Sequence, residues 1–147
     1  MKKIIILVFL TQIIFAQEHF TRKDTLRGSL RAERTCYDVS RYDINIKVNI
    51  DEKYISGYNE ISFTTVENTQ KIQVDLFENL TIDSIIWNHK KLKYNREYNA
   101  VFIEFQQELT AMSQQKIAFH YSGNPTIAKH APWDGGFVFS KDKQGKP

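Results

Sequence analysis

The chain has 147 residues, 25% of them charged, and a formal net charge of +3 at pH 7. This length suits one domain, and an aromatic content of 13%, with ten Phe and seven Tyr, is sufficient for a packed core. Composition therefore excludes a disordered tail, a collagen-like chain and a coiled coil. The single cysteine, Cys36, excludes an intramolecular disulfide and a zinc site built from several cysteines.

The first 16 residues have the pattern of a signal peptide. Lys2 and Lys3 precede an apolar run over residues 4–16, which is shorter than the roughly 20 residues that a membrane-spanning helix needs. Ala16 before Gln17 fits a signal-peptidase cleavage site. We therefore expect cleavage between them, export to the periplasm or the extracellular space, and no stable membrane insertion afterwards. An uncleaved N-terminal anchor is the alternative.

Residues 17–35 are predicted to form a polar, solvated lead-in segment. Its basic residues are interleaved with Asp24 and Glu33; they are Arg22, Lys23, Arg27, Arg31 and Arg34. Removing residues 1–16 takes two of the 20 basic residues and none of the 17 acidic ones, which leaves a net charge of about +1. This balance gives no reason to expect a nucleic acid or an anionic membrane as partner. In an exported chain we expect Cys36 to be a buried, inert thiol.

The domain over residues 36–147 is predicted to consist of strands. Residues 42–51 alternate strictly, and one apolar face is predicted to be buried; its side chains are Tyr42, Ile44, Ile46, Val48 and Ile50. A polar turn at residues 51–53 and a second strand over residues 54–66 complete an antiparallel hairpin. Gly57 inside that strand indicates a bulge or a close backbone approach.

Further strands are predicted over residues 71–76, 80–87, 101–105 and 117–121. A tight hairpin turn is expected near Asn88, and the strand at 101–105 is apolar on both faces. A turn or short helix fits residues 108–115, but a long amphipathic helix fits nowhere in the mature chain. Without helices for parallel crossovers, the pattern predicts an all-β fold, most simply an antiparallel β-sandwich.

The candidate catalytic residues are few. The four histidines, His19, His89, His120 and His130, do not form an H-E-x-x-H motif. We expect His120 to face solvent from its strand. The nucleophile elbow, the P-loop and the dinucleotide-binding glycine motif are also absent from the sequence. Asp75 and Glu78 are close enough in sequence to converge, although solvated acids at a strand edge are the favoured interpretation. The sequence therefore predicts no catalytic and no metal-ligating residues in this chain.

The C-terminal stretch differs in character from the strands before it. Residues 132–139 combine a proline, Trp133 and the pair Gly135 and Gly136, and a polar, hairpin-like turn follows over residues 140–147. A strand that ends in a turn without a return strand is typical of a chain cut within a larger protein. A polar C-terminal end is the alternative.

Several segments, in order, resemble the N-terminal domain of the M1 family of zinc aminopeptidases, in particular exported members of the Bacteroidetes type. They are residues 31–35 (RAERT), 37–39 (YDV), 42–44 (YDI), 55–59 (ISGYN), 74–84 (VDLFENLTIDS), 121–125 (YSGNP) and 132–137 (PWDGGF). The resemblance spans about residues 24–147. It implies an all-β, saddle-like domain, which agrees with the strand pattern.

The resemblance also implies what this chain lacks. In the family, an H-E-x-x-H motif and a later Glu on a following catalytic domain hold zinc, and a G-x-M-E-N segment binds the amino group of the substrate. Residues 1–147 contain neither motif. We therefore expect this chain to be inactive alone and to hold no cofactor. Zinc and peptide substrates would be bound by the missing catalytic domain, the expected partner of this one.

The family's N-terminal domain helps to wall the active-site cleft. The residues of this chain expected to approach the catalytic domain are Trp133, Asp134, Gly135, Gly136 and Phe137. Core packing is nevertheless the favoured role for the Trp133 side chain itself.

Two alternatives remain open. The first is a free-standing, exported β-sandwich that binds sugar or a protein partner through surface aromatics such as Tyr54, Tyr58 and Tyr98. These residues are also ordinary strand formers. The second is a catalytically inactive M1-like scaffold.

Overall fold

The structure is a computed structural model that describes residues 20–147. The predicted signal peptide, with its cleavage site between Ala16 and Gln17, lies outside the described residues and stays a prediction. The helices are α1 (Arg22–Gly28) and α2 (Ala32–Thr35). The strands are β1 (Tyr37–Asn49), β2 (Tyr54–Thr65), β3 (Thr69–Asp75), β4 (Leu80–Trp87), β5 (Lys90–Lys91), β6 (Lys93–Glu97), β7 (Ala100–Leu109) and β8 (Gln114–Gly123).

The eight strands of the described residues form two sheets. One sheet has five strands in the order β1-β2-β8-β4-β5, and the other has three in the order β3-β7-β6. Neighbouring strands of the described residues pair antiparallel in both sheets. Neither sheet closes into a barrel, so the predicted all-β class is confirmed.

The hairpin of β1 and β2 forms as predicted, with Asn49 opposite Tyr54 at its turn. Gly57 lies opposite Ile46, and a Cβ added to Gly57 would collide with the carbonyl oxygen of Asn45. The predicted close backbone approach is therefore confirmed. The irregularity in this pairing lies elsewhere, between Val39 and Arg41, where it bends β1.

The predicted hairpin turn near Asn88 is also confirmed. Asn88 and His89 adopt positive φ angles of 46° and 63°, and Trp87 pairs with Lys90 across the turn. Two successive residues with positive φ define the turn geometry that matches the twist of a two-residue hairpin.

The main core lies between the two sheets. Phe63 and Ile117 of the large sheet and Ile72 and Ile103 of the small sheet are at most 1% exposed. A second, smaller cluster lies on the outer face of the small sheet, where Ala100 and Phe102 pack with Leu26 of α1. The strand predicted to be apolar on both faces over residues 101–105 thus contributes to two clusters, because a helix covers the face turned away from the main core.

The described part of the predicted lead-in, residues 20–35, forms two short helices that were not predicted, although most of its side chains are exposed. Thr21 caps α1 through a reciprocal pair of hydrogen bonds with Asp24, and Leu26 is 2% exposed. Leu26 packs in one cluster with Ala100 and Phe102 of the small sheet. The segment is therefore a third layer over the small sheet.

The prediction that the apolar face over residues 42–50 is buried was wrong. Tyr42, Ile44, Ile46, Val48 and Ile50 are between 43% and 65% exposed; we call them the β1 strip. The preceding residues of the same strand, Tyr37 and Val39, pack against the main core. The small sheet has three strands and the large sheet five, so the edge of the large sheet beyond the irregularity has nothing over it among the described residues.

Candidate functional site

The segment that follows β8 is held by the carboxylate of Asp134. Its Oδ2 accepts hydrogen bonds from the main-chain N–H groups of Lys129 (2.6 Å) and His130 (2.9 Å). These bonds, with that from His130 the largest contribution, lower the pKa of Asp134 below its usual value, because they favour the charged carboxylate. The main-chain N–H of Trp133 donates to the carbonyl of His130 at 2.9 Å. Asp134 therefore braces this loop from within.

The two glycines that follow let the chain turn back on itself. Phe137 forms a parallel bridge with Ile127, and its N–H donates to the carbonyl of Thr126 at 2.8 Å. Gly136 has a φ of 110°, and a Cβ there would lie 2.7 Å from the Thr126 carbonyl oxygen. Only glycine permits both this φ angle and this approach.

The side chains of this segment point outward. Trp133 is 88% exposed and Val138 is 64% exposed, so the expectation that Trp133 packs into the core was wrong. The rings of Phe137 and Phe139 stack at a centroid separation of 6.0 Å. A braced loop thus presents a large aromatic side chain to its surroundings, which is typical of a contact surface.

A cleft of about 770 Å³ opens beside α1. Its walls come from α1, from the connection between β3 and β4, from the turn between β6 and β7, and from Thr126. Its apolar lining residues include the buried Leu26 and Ala100, and the exposed rings of Phe77 and Tyr98 line it as well. Tyr98 has a φ of 54°, an unusual conformation for an aromatic residue. The cleft volume lies within the range of ligand pockets.

Ion pairs join the walls of the cleft. The Lys23 ammonium lies 3.1 Å from Glu78 Oε1 and 5.5 Å from the centre of the Tyr98 ring. Arg22 donates two hydrogen bonds to the Glu97 carboxylate, at 2.9 and 2.8 Å. Both pairs are solvent-exposed, so each contributes little to stability and serves mainly to orient α1.

Asp75 and Glu78 both line the cleft but do not act as a pair. Arg34 pairs with Asp75, whose other oxygen accepts from the Gln73 side chain at 2.9 Å, whereas Glu78 pairs with Lys23. Each carboxylate is therefore neutralised by its own cation.

The histidines of the described part are dispersed. The rings of His120 and Tyr58 lie 5.1 Å apart and are tilted by 35°. His130 is an exposed loop residue whose Nδ1 lies 4.0 Å from Asp134 Oδ2. Within residues 20–147, no three His, Cys, Asp or Glu side chains come close enough together to hold a metal ion. None of the helices formed by these residues is both long and apolar enough to cross a bilayer.

The contribution of α1 to the cleft was missed from sequence, although a signal was present. Thr21 followed three residues later by Asp24 is the pattern of a capping box, and it marks a helix start. The outward orientation of Trp133, by contrast, had no signal in the local sequence.

Comparison with protein-family models and with curated proteins found no match. Comparison with solved structures did find similar folds. An M1 zinc metallopeptidase from Deinococcus radiodurans is 20% identical with a TM-score of 0.56, covering 63% of this chain and 21% of that one. A two-domain M1 zinc metallopeptidase variant bound to L-tryptophan is 18% identical with a TM-score of 0.57, covering 67% of this chain and 23% of that one. A variant of the two-domain enzyme bound to L-arginine is 18% identical with a TM-score of 0.55, covering 65% of this chain and 22% of that one.

At these identities the likeness is one of fold. The chain spans about a fifth of the length of each of these structures. The fold of this chain is thus an all-β domain similar to the N-terminal domain of M1 zinc metallopeptidases.

Proposed function

We propose that this chain is the non-catalytic N-terminal domain of an exported zinc aminopeptidase, which releases N-terminal residues from peptides. The observation that carries the proposal is the likeness of its fold to M1 zinc metallopeptidases. The segment resemblances over residues 24–147 lead independently to the same family. The role of this domain is to wall the active-site cleft of the peptidase domain, which would hold the zinc.

The C-terminal segment is the proposed contact with the peptidase domain. Supporting this, Asp134 braces the loop from within, and Trp133 is 88% exposed although tryptophan is among the most buried side chains on average. A rigid, exposed aromatic residue is the usual anchor of a protein interface. Burial of Trp133 against the peptidase domain would account for its position.

The first test is the coding sequence after the codon for Pro147. The proposal predicts a G-x-M-E-N segment and an H-E-x-x-H motif downstream. If the coding sequence continues without the zinc motif, the catalytically inactive scaffold would replace the active peptidase as the explanation. N-terminal sequencing of the exported protein tests localisation separately, with Gln17 expected as the first residue.

The second test uses tryptophan fluorescence, since the chain has only Trp87 and Trp133. Trp87 is 6% exposed, so acrylamide should quench mainly Trp133 in this chain. In the protein that includes the peptidase domain, we expect Trp133 to be shielded and its emission to shift to shorter wavelength. Measuring the Trp133→Phe variant both as this chain and with the peptidase domain identifies the part of the fluorescence that comes from Trp133. Unchanged quenching of Trp133 would remove this segment from the interface.

The cleft supports a second candidate function, that of a binding module. Apolar lining residues together with the exposed ring of Tyr98 are suited to stacking on a sugar ring or an apolar side chain. Titration calorimetry with soluble oligosaccharides and hydrophobic dipeptides tests this function. Tyr98→Ala should abolish binding, while Tyr54→Ala, away from the cleft, should leave it intact. If none of these ligands binds, the cleft is not a binding site for oligosaccharides or hydrophobic dipeptides.

A further inference from the structure

The strand β1 lies at the edge of the five-stranded sheet, with β2 as its neighbour on one side. Within residues 20–147, no strand pairs with its other edge. An open edge strand presents a row of unpaired N–H and C=O groups, which is a template for adding another strand. Beyond the irregularity, residues 41–49 pair regularly with β2. They therefore form a nine-residue edge with a continuous register.

The two faces of this edge have different chemistry. The β1 strip lies on one face and is exposed. The other face carries Arg41, Asp43, Asn45, Lys47 and Asn49. Natural proteins usually protect long edge strands with inward-pointing charges, prolines or covering loops, and this one keeps its apolar face open instead. Such an edge favours a strand partner with the same alternation.

We propose that two copies of this chain associate through antiparallel pairing of residues 41–49, with the two-fold axis at Asn45. This proposal goes beyond the proposed function and does not depend on it. In this register Asp43 of each copy lies opposite Lys47 of the other, so two opposite-charge pairs form. On the other face, Tyr42 lies opposite Val48 and Ile44 opposite Ile46. The two β1 strips then join into one apolar surface.

The charges select this register. Sliding one strand by two residues in one direction separates Asp43 from Lys47, and in the other direction it places Arg41 opposite Lys47. Sliding by four residues places Lys47 opposite Lys47 or Asp43 opposite Asp43. A one-residue slip would put the two apolar strips on opposite faces. The register with the greatest overlap of residues 41–49 is thus also the one with complementary charges, which is why we assign the edge to a second copy.

The Arg41 side chain does not compete with this pairing. Its Nε donates to Asp43 Oδ1 at 2.7 Å within the same strand, so each Asp43 would lie between its own Arg41 and the Lys47 of the other copy. An interface of one nine-residue strand from each copy is small, and small interfaces are usually transient. We therefore expect a dimer whose population depends on protein concentration.

The test is sedimentation velocity of residues 20–147, whose two sheets enclose a core of their own, over a concentration series. We expect a monomer–dimer equilibrium. Asp43→Lys should weaken the dimer about tenfold or more, because two attractive cross-strand pairs become repulsive. Lys47→Asp should do the same. The double variant Asp43→Lys, Lys47→Asp should restore the dimer, since each copy again offers complementary charges. In the monomer Lys47 is exposed and the Asp43 side chain is 37% exposed, so circular dichroism should show unchanged folding.

Hydrogen exchange identifies the surface that pairs. Amides of residues 41–49 should gain protection as concentration rises, while the exposed turn at residues 140–147 should not. A monomer at all concentrations would overturn the proposal, as would a dimer that is indifferent to both charge reversals. Protection of the β1 edge only when the peptidase domain is present would assign this surface to that domain instead. Assembly beyond the dimer would also contradict a two-fold pairing.

Discussion

The hydroxyl of Tyr37 donates a 2.6 Å hydrogen bond to the main-chain carbonyl of Gln73. This bond joins β1 of the large sheet to β3 of the small sheet, and the Tyr37 ring packs edge-on against Phe63 at 5.3 Å. The contact lies just before the irregularity at which β1 leaves the core. It thus lies near the point along β1 beyond which the side chains of this strand no longer pack against the main core.

Removing this hydroxyl should destabilise the domain measurably. Tyr37→Phe keeps the ring but leaves the Gln73 carbonyl without its side-chain donor, so we expect a loss of about 1 kcal/mol in the free energy of unfolding. Urea denaturation followed by circular dichroism measures it. Tyr42→Phe is the matched control, because Tyr42 is exposed on the same strand and should change stability by less than about 0.5 kcal/mol. Equal effects of the two variants would contradict the role of the hydrogen bond.

The same residue should make stability fall at alkaline pH. Burial is the main cause that raises the pKa of Tyr37 well above its ordinary value, because the phenolate is poorly solvated there. The unfolded chain ionises this tyrosine from about pH 10, whereas the folded chain keeps it neutral. Its contribution to stability is thus complete below about pH 10 and declines as the pH rises toward the folded-state pKa. The free energy of unfolding should decline less steeply with pH in Tyr37→Phe than in the unchanged protein. Identical dependence on pH in the two proteins would contradict this.

Arg96 should be essential for the connection between β3 and β4. Its two terminal guanidinium nitrogens donate to the carbonyls of Leu80 (2.7 Å), Leu76 (2.8 Å) and Phe77 (2.6 Å). Its Nε donates to the main-chain carbonyl of Tyr98 (3.0 Å). Hydrogen bonds from a charged donor are stronger than neutral ones, so Arg96→Ala should cost about 2–3 kcal/mol of unfolding free energy.

Lys93→Ala provides the control for Arg96, since Lys93 is an exposed residue of the same strand. We expect it to change stability by less than about 0.5 kcal/mol. Hydrogen exchange should show faster opening over residues 76–80 in Arg96→Ala alone. Unchanged exchange there would mean that the connection is held by other contacts.

The close backbone approach at Gly57 should tolerate no side chain. Because an added Cβ would collide with the Asn45 carbonyl oxygen, Gly57→Ala should lower the free energy of unfolding by at least about 2 kcal/mol. Gly28→Ala is the contrasting variant: nothing lies within 4 Å of a Cβ there, and a less flexible unfolded chain should raise stability by about 0.4–1 kcal/mol. Thermal denaturation of both variants tests the pair, and a stable Gly57→Ala protein would contradict the geometry.

The Cys36 thiol should be unreactive in the folded domain. It is 3% exposed, and burial raises its pKa, so little thiolate is available for reaction. Labelling with a disulfide reagent at pH 8 should therefore require unfolding. A Val138→Cys variant, with its new thiol at a 64% exposed position, should react at once at that site only. Rapid labelling of Cys36 in the native protein would show that the region around α2 opens readily.

Local pattern determined much of this protein from sequence alone. Alternation with a period of two identified most of the strands but not β5 or β6. The polar residues between β1 and β2 and at Asn88 located two hairpin turns, and Gly57 marked a close backbone approach. These features depend on neighbouring residues and on backbone sterics, which the sequence shows directly. The absence of known catalytic motifs from residues 1–147 was equally visible.

Tertiary structure decided which apolar surfaces are covered. The β1 strip has the alternation of a buried face, yet it is exposed because the smaller sheet ends before it. Trp133 has the side chain of a core residue, yet Asp134 holds its loop outward. Conversely, a basic segment that had the composition of a solvated lead-in became a helix seated on Phe102 through Leu26. Alternation reports which side chains share a face, whereas burial depends on what lies opposite, and that is a property of the assembled fold.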